Sequence, residues 1–166
     1  AQPDGDAGCG GSGRTDLVVL TSTGSEFHGY PRDRYTTLVE TDDRILATSV
    51  TSRSRYTTPV FDFAAVNAKV RAIQLEAFAT THSLALQQTL FAMGKAVLEA
   101  VPEIAEIKFS MPNKHHFLVD LAPFGLDNPN EVFYAADRPY GLIEATVLRE
   151  DVPAEPRAWA TVTGFC

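Results

Sequence analysis

Cysteine, positive charge and long apolar runs are the scarce features of this 166-residue chain. Cys9 and Cys166 lie near opposite ends, so neither a disulfide framework nor a paired-thiol metal site is expected, and both read as incidental thiols of a reducing compartment. Lys and Arg total 14 against 21 Asp and Glu, and the net charge of -7 excludes a nucleic-acid surface, whose affinity comes from clustered cations. No apolar run approaches the roughly 20 residues that cross a bilayer, so no membrane partner is expected. Histidine is sparse as well: His115 and His116 are adjacent and on a strand face opposite sides, and no other His or Cys stands at ligand spacing, so no metal is expected. The first residues lack a basic stretch followed by an apolar one, which argues against a secretory leader and for the cytoplasm. The chain opens at Ala1 without Met, in a Gly- and Asp-rich run, and so reads as a fragment or processed product beginning inside a linker.

What is present suffices for one ordinary domain, since a chain of this length buries well over half of its unfolded surface. Residues 1–16 have linker composition, and ordered structure is expected to begin near Leu17. Leu17 to Thr23 reads as a strand, Glu26 to Asp43 as an organised loop or short helical excursion, and Arg44 to Tyr56 as a second strand. Thr58-Pro59 should break that strand, with Asp62 capping a first helix whose stripe is Phe63, Val66, Val70, Ile73, Ala77 and Phe78. Ser83 is placed to cap a second helix carrying Leu86, Leu90, Met93, Val97 and Val101, which Pro102 stops. Both stripes read as core. Strands are expected near 104–111, 115–121, 131–134 and 140–149, with turns at 123–129 and at Arg138-Pro139, and then a tail over 151–166 packed through Trp159 or Phe165. Strands segregated from a helix pair make the class α+β, an antiparallel sheet with helices on one face and the other face solvated or covered by a partner.

The densest chemistry lies in Ser110–Leu121. Pro112 interrupts a strand that resumes at Phe117, Val119 and Leu121, and Asn113, Lys114, His115 and His116 follow it at once. A proline there marks an edge, bend or bulge, where a sheet can aim polar groups at a ligand.

Three separated strings in this order resemble urate oxidase (uricase): STGSEFHGYPRDRYTTLVETDDRILAT, HSLALQQTLF, and SMPNKHHFLVDL followed by NPNEVFYAADRPYGLIEATVLRE. The resemblance runs from about Leu17 to Glu150 and implies the tunnelling fold (T-fold), a four-stranded antiparallel sheet backed by two helices in ββααββ order. Uricase subunits carry two such domains, and this chain resembles the second. By the same resemblance Phe27 is the ring-stacking aromatic and Arg44 the substrate-gripping arginine. Gln87 pairs with that arginine, beside the backbone amide of Leu86, while Asn113 and His115 flank the dioxygen or water site. The residue types suit the chemistry. An aromatic face stacks on a flat anion, and a guanidinium fork bonds its edge where lysine could not. A glutamine amide offers donor and acceptor together, and a histidine can relay a proton.

The implied activity is cofactor-free oxidation of urate by O2 to 5-hydroxyisourate and H2O2, with urate, O2, the missing N-terminal domain and an oligomer (a homotetramer of two-domain subunits) as partners. Because the lysine and threonine of the family's proton relay belong to that first domain, the chain alone is expected to be inactive. Ser54 stands where relatives usually carry Trp, which is expected to weaken packing at that strand end. Apart from the resemblance, Phe27 reads as a core-packed loop aromatic, Arg44 as a surface ion pair beside Asp42 and Asp43, and Gln87 as solvated. Two other functions stay open: a non-catalytic purine- or pterin-binding module, and a structural half serving assembly alone.

Overall fold

A computed structural model describes residues 10–57, 62–137, 140–160 and 165. The expected break at Thr58-Pro59, the turn at Arg138-Pro139, and both cysteines lie outside the described residues. In chain order the elements are β1 (Gly11–Thr21), β2 (Leu46–Tyr56), α1 (Phe63–Thr80), α2 (Leu86–Ala100), β3 (Ile104–Pro112), β4 (His116–Leu118), β5 (Phe133–Ala135) and β6 (Leu142–Leu148). Four of the strands make one antiparallel sheet in the order β1-β2-β3-β6, and β4 and β5 form a separate small ladder. The expected α+β class and helix-backed sheet are therefore present.

The helices form where the periodicity places them. Asp62 caps α1, its carboxylate accepting from the amides of Ala64 and Ala65 at 3.0 and 3.1 Å. Val66, Val70 and Phe78 of α1 and Leu86, Leu90, Met93 and Val97 of α2 are buried against Leu46, Val50, Ile107, Phe109 and Met111 of the sheet. Period-2 alternation explains the strand contribution, because alternate side chains of β2 and β3 point at the helices.

Three boundaries differ from expectation. β1 begins at Gly11 rather than near Leu17, pairing Gly11 with Arg55 and Gly13 with Arg53 before its register shifts between Arg14 and Leu17. Ser83 does not cap α2; the cap position is Ala85, without a side-chain bond, and the Ser83 hydroxyl accepts from Thr89 Oγ1 at 2.8 Å. The strand expected over 115–121 shrinks to His116–Leu118 and leaves the main sheet, so β6 is that sheet's fourth strand.

The tail folds back as expected, through both aromatics. Trp159 Nε1 donates to buried Glu106 of β3, and the Lys108 ammonium lies 4.8 Å from the Phe165 ring centroid. Arg55 bonds Glu106 and the Pro153 carbonyl, each at 2.9 Å, so part of the face away from the helices is covered by the chain's own end.

Candidate functional site

The site residues come from four segments that meet at one end of the sheet. The first runs from Gly24 to His28. It pairs with the chain before α2 through Glu26 N to Ser83 O (2.8 Å) and Ser83 N to Gly24 O (2.9 Å), and with the segment before β2 through Phe27 N to Thr41 O (2.7 Å) and Arg44 N to Ser25 O (2.8 Å). These backbone bonds fix Phe27, Arg44 and the start of α2 relative to one another.

Proline 112 does what its missing donor dictates. It ends β3 opposite Leu142, yet the β2–β3 register that pairs Thr51 with Ser110 continues unshifted to Thr48 opposite Asn113. Asn113 donates from its amide to Gly141 O at 2.8 Å, and Lys114 to Ala47 O at 2.9 Å. Asn113 is thus held between β2 and the start of β6. Residues paired across an antiparallel ladder share a face, so Asn113 projects on the side of Thr48, the helix-facing side.

Arg44 is the electrostatic centre. Its guanidinium carbon lies 5.0 Å from the Phe27 ring centroid and its Nε donates to Ser25 Oγ at 3.2 Å. Among the described residues that is the guanidinium's one hydrogen bond. Burial lowers the Arg44 pKa, as expected for a half-buried cation that has no carboxylate partner among the described residues. His115 lies within its field: burial first, and then the positive charge of Arg44, push its pKa below the ordinary histidine value. The imidazole stacks on Phe117 with centroids 5.7 Å apart. A neutral imidazole beside an unpaired guanidinium can accept or pass a proton while the cation holds an anion.

Phe27, Arg44 and His115 are therefore brought together. Leu86 is buried at the first turn of α2, and Gln87 next to it is exposed, with no hydrogen bond to Arg44 among the described residues. His116 turns away, its Nδ1 3.0 Å from the Lys114 carbonyl. Two neighbours were not foreseen. Tyr30 stacks on Phe27 with centroids 5.0 Å apart and rings 19° from parallel, covering one face of that ring. Thr48 is fully buried opposite Asn113, and its Oγ1 has no hydrogen-bond partner among the described residues. The alternation of β2 carried the signal for Thr48, since it shares the face of Leu46 and Val50.

Phe27, Arg44 and His115 are each partly exposed. A groove of about 510 Å³ runs elsewhere, between α2 and β6, lined by residues including Phe91, Lys95, Val147 and Arg149, and none of the site residues lines it.

Comparison with known proteins follows the same residues. The uricase family profile matches residues 11–144. The uricase of Arthrobacter globiformis is 67% identical over 155 residues, covering 93% of this chain and 51% of that protein. That of Dictyostelium discoideum is 39% identical over 138 residues, covering 83% and 48%. The crystal structure of the Arthrobacter globiformis uricase superposes with a TM-score of 0.89 at 67% identity, over 91% of this chain and 53% of that one. A uricase structure from Bacillus fastidious gives 0.73 at 26% identity, over 92% and 48%. The chain spans about half the length of the curated relatives it matches. Among the described residues no helix is long and apolar enough to cross a membrane.

Proposed function

The chain belongs to the uricase family, and from that premise we propose that it is the carboxy-terminal half of a urate-oxidising enzyme, contributing Phe27, Arg44, Leu86, Gln87, Asn113 and His115 to a site completed by an N-terminal domain and by neighbouring subunits. The observation that carries this reading is the Arg44 guanidinium, half-buried beside an aromatic ring with one donor engaged on Ser25. Such a fork has its remaining donors free for an anion edge and gains when a planar anion enters, because burying an unpaired cation is otherwise costly. Neutral His115 and Asn113 then stand where a proton and an oxygen species have to be handled during oxidation by O2 to 5-hydroxyisourate and H2O2, a reaction that on this reading needs no cofactor.

The partial exposure of Phe27, Arg44 and His115 and the exposed Val18 (65%) and Leu20 (53%) on edge strand β1 favour completion by partner chains, in a tetramer of two-domain subunits. Its compartment on this reading is the cytoplasm.

The test is reconstitution. The chain is co-purified with a polypeptide carrying the first domain, and loss of urate absorbance and release of peroxide are followed. Turnover is expected from the complex and not from the chain alone. Arg44→Ala should weaken urate binding and turnover together, whereas His115→Ala should lower turnover more than affinity. A demonstrably assembled complex that leaves urate intact would sink the reading.

A further inference from the structure

Beside the urate cluster, and independent of it, a second group of side chains converges from three segments. Glu26 presents one carboxylate oxygen to His28 Nε2 and the other to His82 Nε2, both within hydrogen-bond reach. Asp42 completes the group: Glu26, His28 and Asp42 each offer a ligand atom, and these lie within 4.8 Å of one another. Two imidazoles and two carboxylates are a donor set suited to zinc and its first-row neighbours. Ligand atoms around a tetrahedral zinc lie about 3.3 Å apart, so small side-chain rotations close the trio of Glu26, His28 and Asp42, and His82 joins it through the other oxygen of Glu26.

The charge balance favours a cation. The charged groups acting on His28 are Glu26, Asp42 and Glu40, all acidic. Glu40 is occupied, accepting from the Gly29 amide at 3.1 Å. His28 and His82 are well exposed while Glu26 is the more buried member, so an ion could enter from solvent and seat on Glu26.

We propose that Glu26, His28, Asp42 and His82 bind a divalent transition-metal ion of the zinc class, which fastens the loop segments carrying Phe27 and Arg44 to the chain entering α2. The role is structural. Glu26 precedes Phe27 directly, Asp42 lies just before Arg44, and His82 just before Leu86 and Gln87, so the ion would hold together the backbone that the urate cluster is built on while touching none of its side chains.

The test is Zn2+ binding to the full chain by equilibrium dialysis and calorimetry, with the thiols alkylated and folding checked by circular dichroism. One Zn2+ per chain is expected. His28→Ala and His82→Ala should each weaken it by at least the roughly tenfold that losing a supporting group costs a metal site. Zn2+ should raise the melting temperature of the parent chain and of His116→Ala, and leave that of His28→Ala with His82→Ala unchanged. No saturable Zn2+ uptake by the parent chain, or uptake whose affinity the double variant retains, overturns the proposal. Because the readout is binding by this chain alone, its failure would say nothing against the urate reading.

Discussion

Gly94 sits on the buried face of α2, and replacing it with alanine tests how closely that helix is seated on the sheet. A Cβ built there would lie 2.5 Å from Val147 Cγ2, 2.9 Å from Val147 Cβ and 3.2 Å from Phe109 Cε2. Carbon atoms rest at about 3.5–4.0 Å, so α2 has to lift by roughly 1 Å or the strand has to yield. Neither neighbour gives easily: Val147 is β-branched on β6 and Phe109 is fully buried. Overpacking of this kind costs about 1–3 kcal/mol, against which the helix propensity of alanine over glycine returns about 1 kcal/mol. Gly94→Ala should therefore destabilise the chain, by up to about 2 kcal/mol, in urea unfolding followed by circular dichroism. Val147→Ala removes the closest atom, so the double variant should cost about 1 kcal/mol less than the two single changes added together. An alanine variant more stable than the parent, or strict additivity with Val147→Ala, would refute the close-packing argument. Leu86 and Gln87 ride on the same helix, so the lift also disturbs the edge of the candidate site.

His115 should titrate below the ordinary value of 6.5 when its ring protons are followed by NMR. Burial is the larger cause, so Arg44→Ala should move the midpoint only part of the way back. The sign of the linkage is that the unfolded chain binds the proton more readily, so His115 costs stability as pH falls from about 6.5 through its folded midpoint, and a urea midpoint insensitive to pH there in the parent and in His115→Ala alike would contradict this. Glu106→Ala leaves the largely buried Arg55 with only the Pro153 carbonyl among the described residues and releases Trp159, so a loss of up to about 3 kcal/mol is expected together with a red shift of tryptophan fluorescence, which reports this contact alone because the chain has a single Trp. Thr48→Val removes a buried hydroxyl without a partner among the described residues and should leave the chain's stability within about 1 kcal/mol or raise it; a larger loss would mean the hydroxyl is bonded after all.

The helices and the inner strands were legible because their physics is local. Asp62 caps where a carboxylate meets free amides, and the stripes of α1 and α2 are buried at helical spacing except at Phe63, which at the first turn of α1 is 43% exposed rather than core. What escaped was set by contacts between distant segments. Gly11, Ser12 and Gly13 look like linker, yet they are strand; a Cβ at Gly13 would collide with the Arg53 side chain and the Ser52 carbonyl, so the glycine is what lets β1 approach β2. Asp16, at φ 52°, absorbs the irregularity that follows. Ser83 carries a capping residue's chemistry, but its backbone is committed to Gly24 and Glu26 and its hydroxyl to Thr89. The convergence of Glu26, His28, Asp42 and His82 was hidden for the same reason, since no spacing rule joins residue 82 to residue 26.

The candidate site divides along the same line. Periodicity alone puts Thr48 and Leu46 on one face, but it says nothing of why Arg44 should matter, and by composition Arg44 is a surface ion pair with Asp42 and Asp43. The structure removes that reading: the Asp43 carboxylate instead accepts from the Gly24 amide at 3.1 Å, and Asp42 lies with Glu26 and His28. Both acids that could have neutralised Arg44 are occupied by the turn and by the neighbouring cluster. The guanidinium is left half-buried, next to His115 and without a carboxylate partner among the described residues. A fold gains nothing from a cation in that state, since solvation is lost and no carboxylate replaces it. On the proposed reading the arrangement makes energetic sense, because an anion arriving from outside the chain supplies the negative charge that the two aspartates, engaged elsewhere, do not.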